Sequence, residues 1–154
     1  FWSNSDKTGS ATVQVQCVSI TETLLKQWDL TVIAEYDVRL KADTQDFNFM
    51  MGWFEDPTSS GFNAATQVAL NLRFSLNGVT ANNGVRTENL ATLQADKWYK
   101  VRVTLDNNFE EYSAVVTDVE TGKVVGSLLD AAYQASIPSG VTGIKTTCWG
   151  LYKR

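Results

Sequence analysis

The segment Glu35-Tyr36-Asp37-Val38-Arg39 carries two acids and a base at every second position. In an extended chain that spacing puts all three on one face, because successive side chains of a strand point to opposite sides. Paired carboxylates do acid–base chemistry when one is held protonated and the other ionised. Arg39 occupies the third position of this face, and a nearby cation favours ionised carboxylates, so the segment reads as a binding face and not as a general acid. Amides and a second guanidinium group recur on two other alternating runs, Asn48 within 46–54 and Asn71 with Arg73 within 67–76. Acids, amides and guanidinium groups together suit a polar ligand, with the charged members making the strongest bonds. An exposed aromatic ring would add a flat apolar surface to such a set. Trp149 is the best placed of the five Trp, on the strand face with Lys145, Thr147 and Leu151 and opposite Cys148. Trp53 and Trp98 are expected to pack in the core, and Trp2 and Trp28 carry no assignment. The candidate ligand-binding set is therefore Glu35, Asp37, Arg39, Asn48, Asn71, Arg73 and Trp149, with the Glu35–Arg39 face expected to meet the amides on neighbouring strands. The plain alternative is a solvated sheet face with cross-strand ion pairs, each worth roughly a few tenths of a kcal/mol.

Other chemistry is excluded by what the chain lacks. With no His there is no imidazole base, no Ser-His-Asp arrangement and no His-ligated metal. No glycine-rich phosphate loop is present. A net charge of −4 with scattered Lys and Arg argues against nucleic acid and against a polybasic membrane patch. No segment approaches the roughly 18–20 apolar residues of a membrane helix. The two cysteines, Cys17 and Cys148, cannot build a structural zinc site without a second pair. Both fall on strand positions read as core-facing. Either they are bridged, which requires the first and last strands to be neighbours, or they are buried thiols packing as small hydrophobes.

The elements that must position these residues are strands. The most secure stretch is 97–125, where Tyr99, Val101, Val103 and Leu105 alternate with Lys100, Arg102 and Thr104, and Tyr112, Ala114 and Val116 alternate with Ser113, Val115 and Thr117. Such period-two patterning predicts strands, with a turn at Asp106-Asn107-Asn108 and another at Glu120-Thr121-Gly122-Lys123. Together they form an antiparallel meander. Further strands are predicted at 11–20, 30–41, 46–54, 67–76, 79–88, 123–129 and 141–153. Asn77-Gly78 is a hairpin signal, 55–66 the longest loop, and 130–135 a single helical turn. Residues 1–10 read as a lead-in segment. About ten short strands with no long helical pattern predict an all-β, two-sheet antiparallel sandwich of jelly-roll type. At 154 residues, 1–154 reads as one domain with a sizeable core.

The central meander resembles the concanavalin A-like lectin/glucanase and laminin G-like jelly rolls. The likeness is carried by Trp98-Tyr99-Lys100-Val101, a polar turn, and then Tyr112, Val116, Asp118 and Thr121-Gly122 before another apolar run. It implies carbohydrate recognition, and most of all a carbohydrate-binding module attached to a secreted polysaccharide-degrading enzyme. A laminin G-like adhesion domain and a small lyase or hydrolase are the alternatives. The glucanase branch of this superfamily carries three acids on one strand face. Here Glu35 and Asp37 match the first two and the third is absent, which implies no catalysis. No cofactor is required by this reading. Calcium is an option because the superfamily often binds it, and Asp106, Asn107, Asn108, Glu110 and Glu111 offer hard oxygens; the turn they form accounts for the same residues. The expected partner is a polysaccharide or oligosaccharide, the expected location extracellular. The chain is expected to be a monomer tethered to other domains.

Overall fold

Alternation along the chain becomes two antiparallel sheets packed face to face. The structure, a computed structural model, describes residues 14–19, 31–42, 46–53, 64–83, 85–141 and 146–151, with backbone alone at 14–19, 64, 65 and 146–151. The elements are β1 (Gln14–Ser19), β2 (Thr31–Arg39), β3 (Phe47–Gly52), a one-turn helix α1 (Ala64–Gln67), β4 (Val68–Ser75), β5 (Gly78–Asn82), β6 (Thr87–Ala91), β7 (Trp98–Asp106), β8 (Glu111–Asp118), β9 (Val124–Ala132) and β10 (Thr146–Leu151). A six-stranded sheet runs β1-β10-β3-β4-β5-β6, and a four-stranded sheet runs β2-β7-β8-β9. The predicted lead-in segment, 1–10, lies outside the described residues.

The core is built from the faces that alternation marks as apolar. Phe49, Met51, Leu70, Leu72 and Phe74 from the six-stranded sheet meet Tyr99, Val101, Val103, Leu105, Tyr112, Ala114 and Val116 from the other. Each large side chain so buried contributes about 1.5–3 kcal/mol relative to exposure. Tyr36 crosses the gap from β2, its ring 4.6 Å from Phe49 and edge-on to Phe74 at 6.2 Å. The Tyr112 hydroxyl donates to the Asn82 carbonyl at 2.6 Å, a hydrogen bond between the two sheets. On the flank where β9 nears β6, Gly126 admits the closest approach. A Cβ there would lie 1.9 Å from the Leu90 carbonyl oxygen.

The meander forms as the sequence predicts, and its turns close on their own side chains. Asp106 Oδ1 accepts from the backbone N–H groups of Asn108 at 2.9 Å and Phe109 at 3.3 Å. Asp118 Oδ1 does the same for Glu120 at 2.9 Å and Thr121 at 3.1 Å, with Gly122 at φ 68° completing the reversal. Elsewhere the structure corrects the sequence reading. The β4–β5 turn is Leu76-Asn77, since Gly78 already pairs with Ser75. The stretch 79–88 is two strands, because Asn83 Oδ1 accepts from Val85 N at 3.1 Å and Arg86 N at 2.8 Å and folds the chain back. The predicted helical turn at 130–135 does not form: 130–132 are the end of β9 and 133–135 lead out of it without helix. Asp130 takes φ 50° there, and its N–H donates to Ser113 Oγ at 3.1 Å across a register shift.

Candidate functional site

The seven candidate residues do not share a face. Glu35, Asp37 and Arg39 stand on the outer face of the four-stranded sheet, whereas Asn48, Asn71 and Arg73 stand on β3 and β4 of the other sheet. A core separates the two groups. Trp149 falls on β10, opposite Phe49 in register, and its side chain lies outside the described residues. Cys17 is the register partner of Cys148, so β1 and β10 are neighbours, and both thiols likewise lie outside them.

On the four-stranded sheet, register sets Glu35 opposite Arg102, Asp37 opposite Lys100 and Arg39 opposite Trp98. Glu35 takes Lys100 Nζ at 3.2 Å and Arg102 Nη1 at 3.3 Å. The Lys100 bond, with Arg102 behind it, holds the Glu35 carboxyl below its ordinary range. Arg39 is not the cation responsible: its guanidinium sits 5.0 Å from the centroid of the Trp98 ring. Asp37 reaches only Lys100 Nζ, at 3.9 Å. Trp98 is therefore no core residue. It is 48% exposed, on the face its position beside Lys100 and Arg102 dictates, with a ring face occupied by Arg39. Trp53 does pack in the core, its Nε1 donating to the Thr66 carbonyl at 3.1 Å. This face is a ladder of exposed charges paired with one another.

The outer face of the six-stranded sheet differs in kind. Register lines up Asn48, Arg73, Thr80 and Asn89 directly across β3, β4, β5 and β6. Asn71 lies two residues along from Arg73, opposite Met50. Exposure rises across the row: Asn48 is buried, Arg73 and Thr80 half-buried, Asn89 exposed. Arg73 Nε donates to Asp46 Oδ2 at 3.1 Å, and Nη2 reaches the same oxygen. Asn71 Oδ1 is buried without a hydrogen-bond partner. Leaving such an acceptor unmet costs about 1–3 kcal/mol, so it needs a reason. Asn71 as a whole is only half-buried, and a ligand donor would satisfy the oxygen. With Asn48 buried beside it, the row offers the Arg73 guanidinium group, the Thr80 hydroxyl and the Asn89 amide.

No protein-family model matches the chain, and no curated protein matches its sequence. Solved structures do resemble it. A lectin, UEA-II complexed with galactose, superposes with a TM-score of 0.61 at 9% identity, over 97% of this chain and 78% of its own. Lectin II from Ulex europaeus gives a TM-score of 0.57 at 10% identity, over 94% of this chain and 76% of its own. The fold is the concanavalin A-like lectin jelly roll. A sialidase matches over 80% of this chain with a TM-score of 0.54 at 16% identity, and the chain spans 10% of the sialidase's length.

Within this concanavalin A-like sandwich, the sequence reading found Asn48, Arg73 and the adjoining Asn71 and missed Thr80, Asn89 and Asp46. Thr80 was hidden because 79–88 reads as one weak strand, although Asn82-Asn83-Gly84 is turn chemistry, and Asn89 falls just past the end of that stretch. Asp46 opens the predicted strand 46–54 and was given no role there. The hard-oxygen turn is occupied by its own fold: besides the Asp106 bonds, Asn107 Oδ1 accepts from the Tyr133 hydroxyl at 2.7 Å. Among the described residues no three His, Cys, Asp or Glu side chains gather as a metal site.

Proposed function

We propose that the chain is a non-catalytic, extracellular carbohydrate-binding module that holds an attached polysaccharide-degrading enzyme at its glycan. The outer face of the six-stranded sheet is the binding surface. The observation that carries the reading is the aligned row Arg73, Thr80 and Asn89, anchored on the buried Asn48 and with the unmet Asn71 oxygen beside it. Donors and acceptors fixed on adjacent strands, about 5 Å apart, match the spacing of hydroxyls along a sugar chain. The lectin likeness supports the same reading at the level of fold, since function is argued from the site and not the scaffold. Tethering then raises the enzyme's local concentration at the polymer without any new contact to it. The Glu35–Lys100–Arg102 ladder serves solubility, as its charges are already paired.

Native affinity electrophoresis against soluble plant, fungal and microbial polysaccharides, with and without chelator, tests this. One polymer class is expected to retard the protein without being shortened. Asn71→Ala and Arg73→Ala should each weaken that retardation about tenfold or more, the worth of a lost hydrogen bond to a charged or otherwise buried group. Trp98→Ala and Arg102→Ala should leave it unchanged. Loss of retardation with chelator would assign calcium to the site. Absence of retardation across the panel would favour a protein-adhesion domain, and shortening of any polymer would make the chain an enzyme.

A further inference from the structure

The geometry points to Asp46 as the residue that sets which glycans this face accepts: by holding Arg73, it selects uncharged sugars and turns away carboxylated or sulfated ones. The inference rests on the glycan-binding reading of the face. Arg73 is the only basic residue on β3, β4, β5 and β6. The one acid on those strands, Glu88, pairs in register with the core residue Ala81 and so belongs to the opposite side, where it meets Arg86 at 3.1 Å. A guanidinium group standing alone on a floor of amides would be a receptor for a carboxylate or sulfate, because its fork matches two oxygens at once. Arg73 does not stand alone. Its Nε and Nη2, adjacent donors of one such fork, both bond Asp46 Oδ2.

The pair is neutral as a unit, and what it leaves open is mixed in character. Nη1 and the second N–H of Nη2 remain donors, and Asp46 Oδ1 remains an acceptor. Sugar hydroxyls, which both donate and accept, satisfy either kind of group. An acidic group satisfies the donors and meets the Asp46 carboxylate as a like charge. Side-chain exposures of 41% for Arg73 and 29% for Asp46 leave the pair within reach of a bound chain.

The test compares a neutral polysaccharide with its carboxylated counterpart on the same backbone, using the intact protein and Asp46→Asn. The unaltered protein should bind the neutral polymer and ignore the carboxylated one, with little dependence on salt. Asp46→Asn keeps the size of the side chain and frees the Arg73 charge. It should gain affinity for the carboxylated polymer by about tenfold or more, and the gain should fade as salt screens it. Arg73→Gln added to Asp46→Asn should abolish the gain, and the far-ultraviolet dichroism of each variant shows that it is folded. A folded Asp46→Asn with no gain overturns the assignment, as does an unaltered protein that prefers the carboxylated polymer. Failure of both forms on the neutral polymer would instead sink the glycan reading, while the gain on the acidic one would still report what Asp46 does to Arg73.

Discussion

At the scale of single residues, polar side chains in this protein finish turns and tie the sheets. Asp118 is the clearest case: one carboxylate oxygen closes the β8–β9 turn and the other lies 2.6 Å from Lys97 Nζ. The Lys97 hydrogen bond, helped by the two backbone N–H groups, holds the Asp118 pKa below its ordinary value, and the same contact raises that of Lys97. A depressed carboxyl stabilises the fold above about pH 4 and loses that contribution as pH falls through its folded value. The raised Lys97 contributes at neutral pH and fails only as strong alkali deprotonates it. Asp118→Asn should therefore lower Tm at pH 7 and flatten the fall of Tm on acidification below about pH 4. Parallel Tm curves for the two proteins would contradict this. Tyr112 supplies a second test. Burial keeps its hydroxyl protonated far into alkali, so its bond to the Asn82 carbonyl persists at every working pH. Tyr112→Phe should cost about 0.5–1.5 kcal/mol in urea unfolding, the net worth of the hydrogen bond removed.

At the scale of elements, alternation was legible and pairing was not. The two faces of β2, β3, β7 and β8, and of β4 from Leu70 onward, read correctly from residue parity, since a one-residue slip would turn every apolar side chain to solvent; at Ala69 a bulge breaks the alternation. Trp98 shows parity overruling residue type: bulk argued for the core, but its place beside Lys100 and Arg102 put it outside. Which strands become neighbours is a long-range matter that parity cannot carry. Glu35 and Asn48 both read as outward and polar, and nothing local says that the chain crosses from one sheet to the other between them. Asp130 was missed for a different reason. Its left-handed φ within a bulge breaks the period just where the strand continues. Gly126 on the same strand marks a contact no local pattern reveals. Gly126→Ala should destabilise the protein by roughly 3 kcal/mol or more, because the obstacle is backbone and cannot turn aside. A thermal scan of that variant giving the unaltered Tm would show that β9 can retreat from β6.

At the scale of the whole molecule, two sheets divide two tasks: one outer face carries paired charges in solvent, and the other carries the polar row on which recognition is proposed. The core between them should tolerate little. Phe49→Ala, which empties the contact with Tyr36, is expected to cost about 3–5 kcal/mol by denaturant titration; a loss below 1 kcal/mol would mean that Tyr36 or its neighbours collapse into the space. The order of strands in the larger sheet has a further consequence, for the protein while it is being made. β10 lies between β1 and β3, so the first described strand bonds only to the last. The four-stranded sheet has all its strands once residue 132 has emerged. Until residues 146–151 follow, β1 has no place to dock and β3 presents an open edge, the kind of edge that invites pairing with another chain. A nascent chain halted before β10 should thus expose both, and a chaperone that shields strand edges would find its target in that interval.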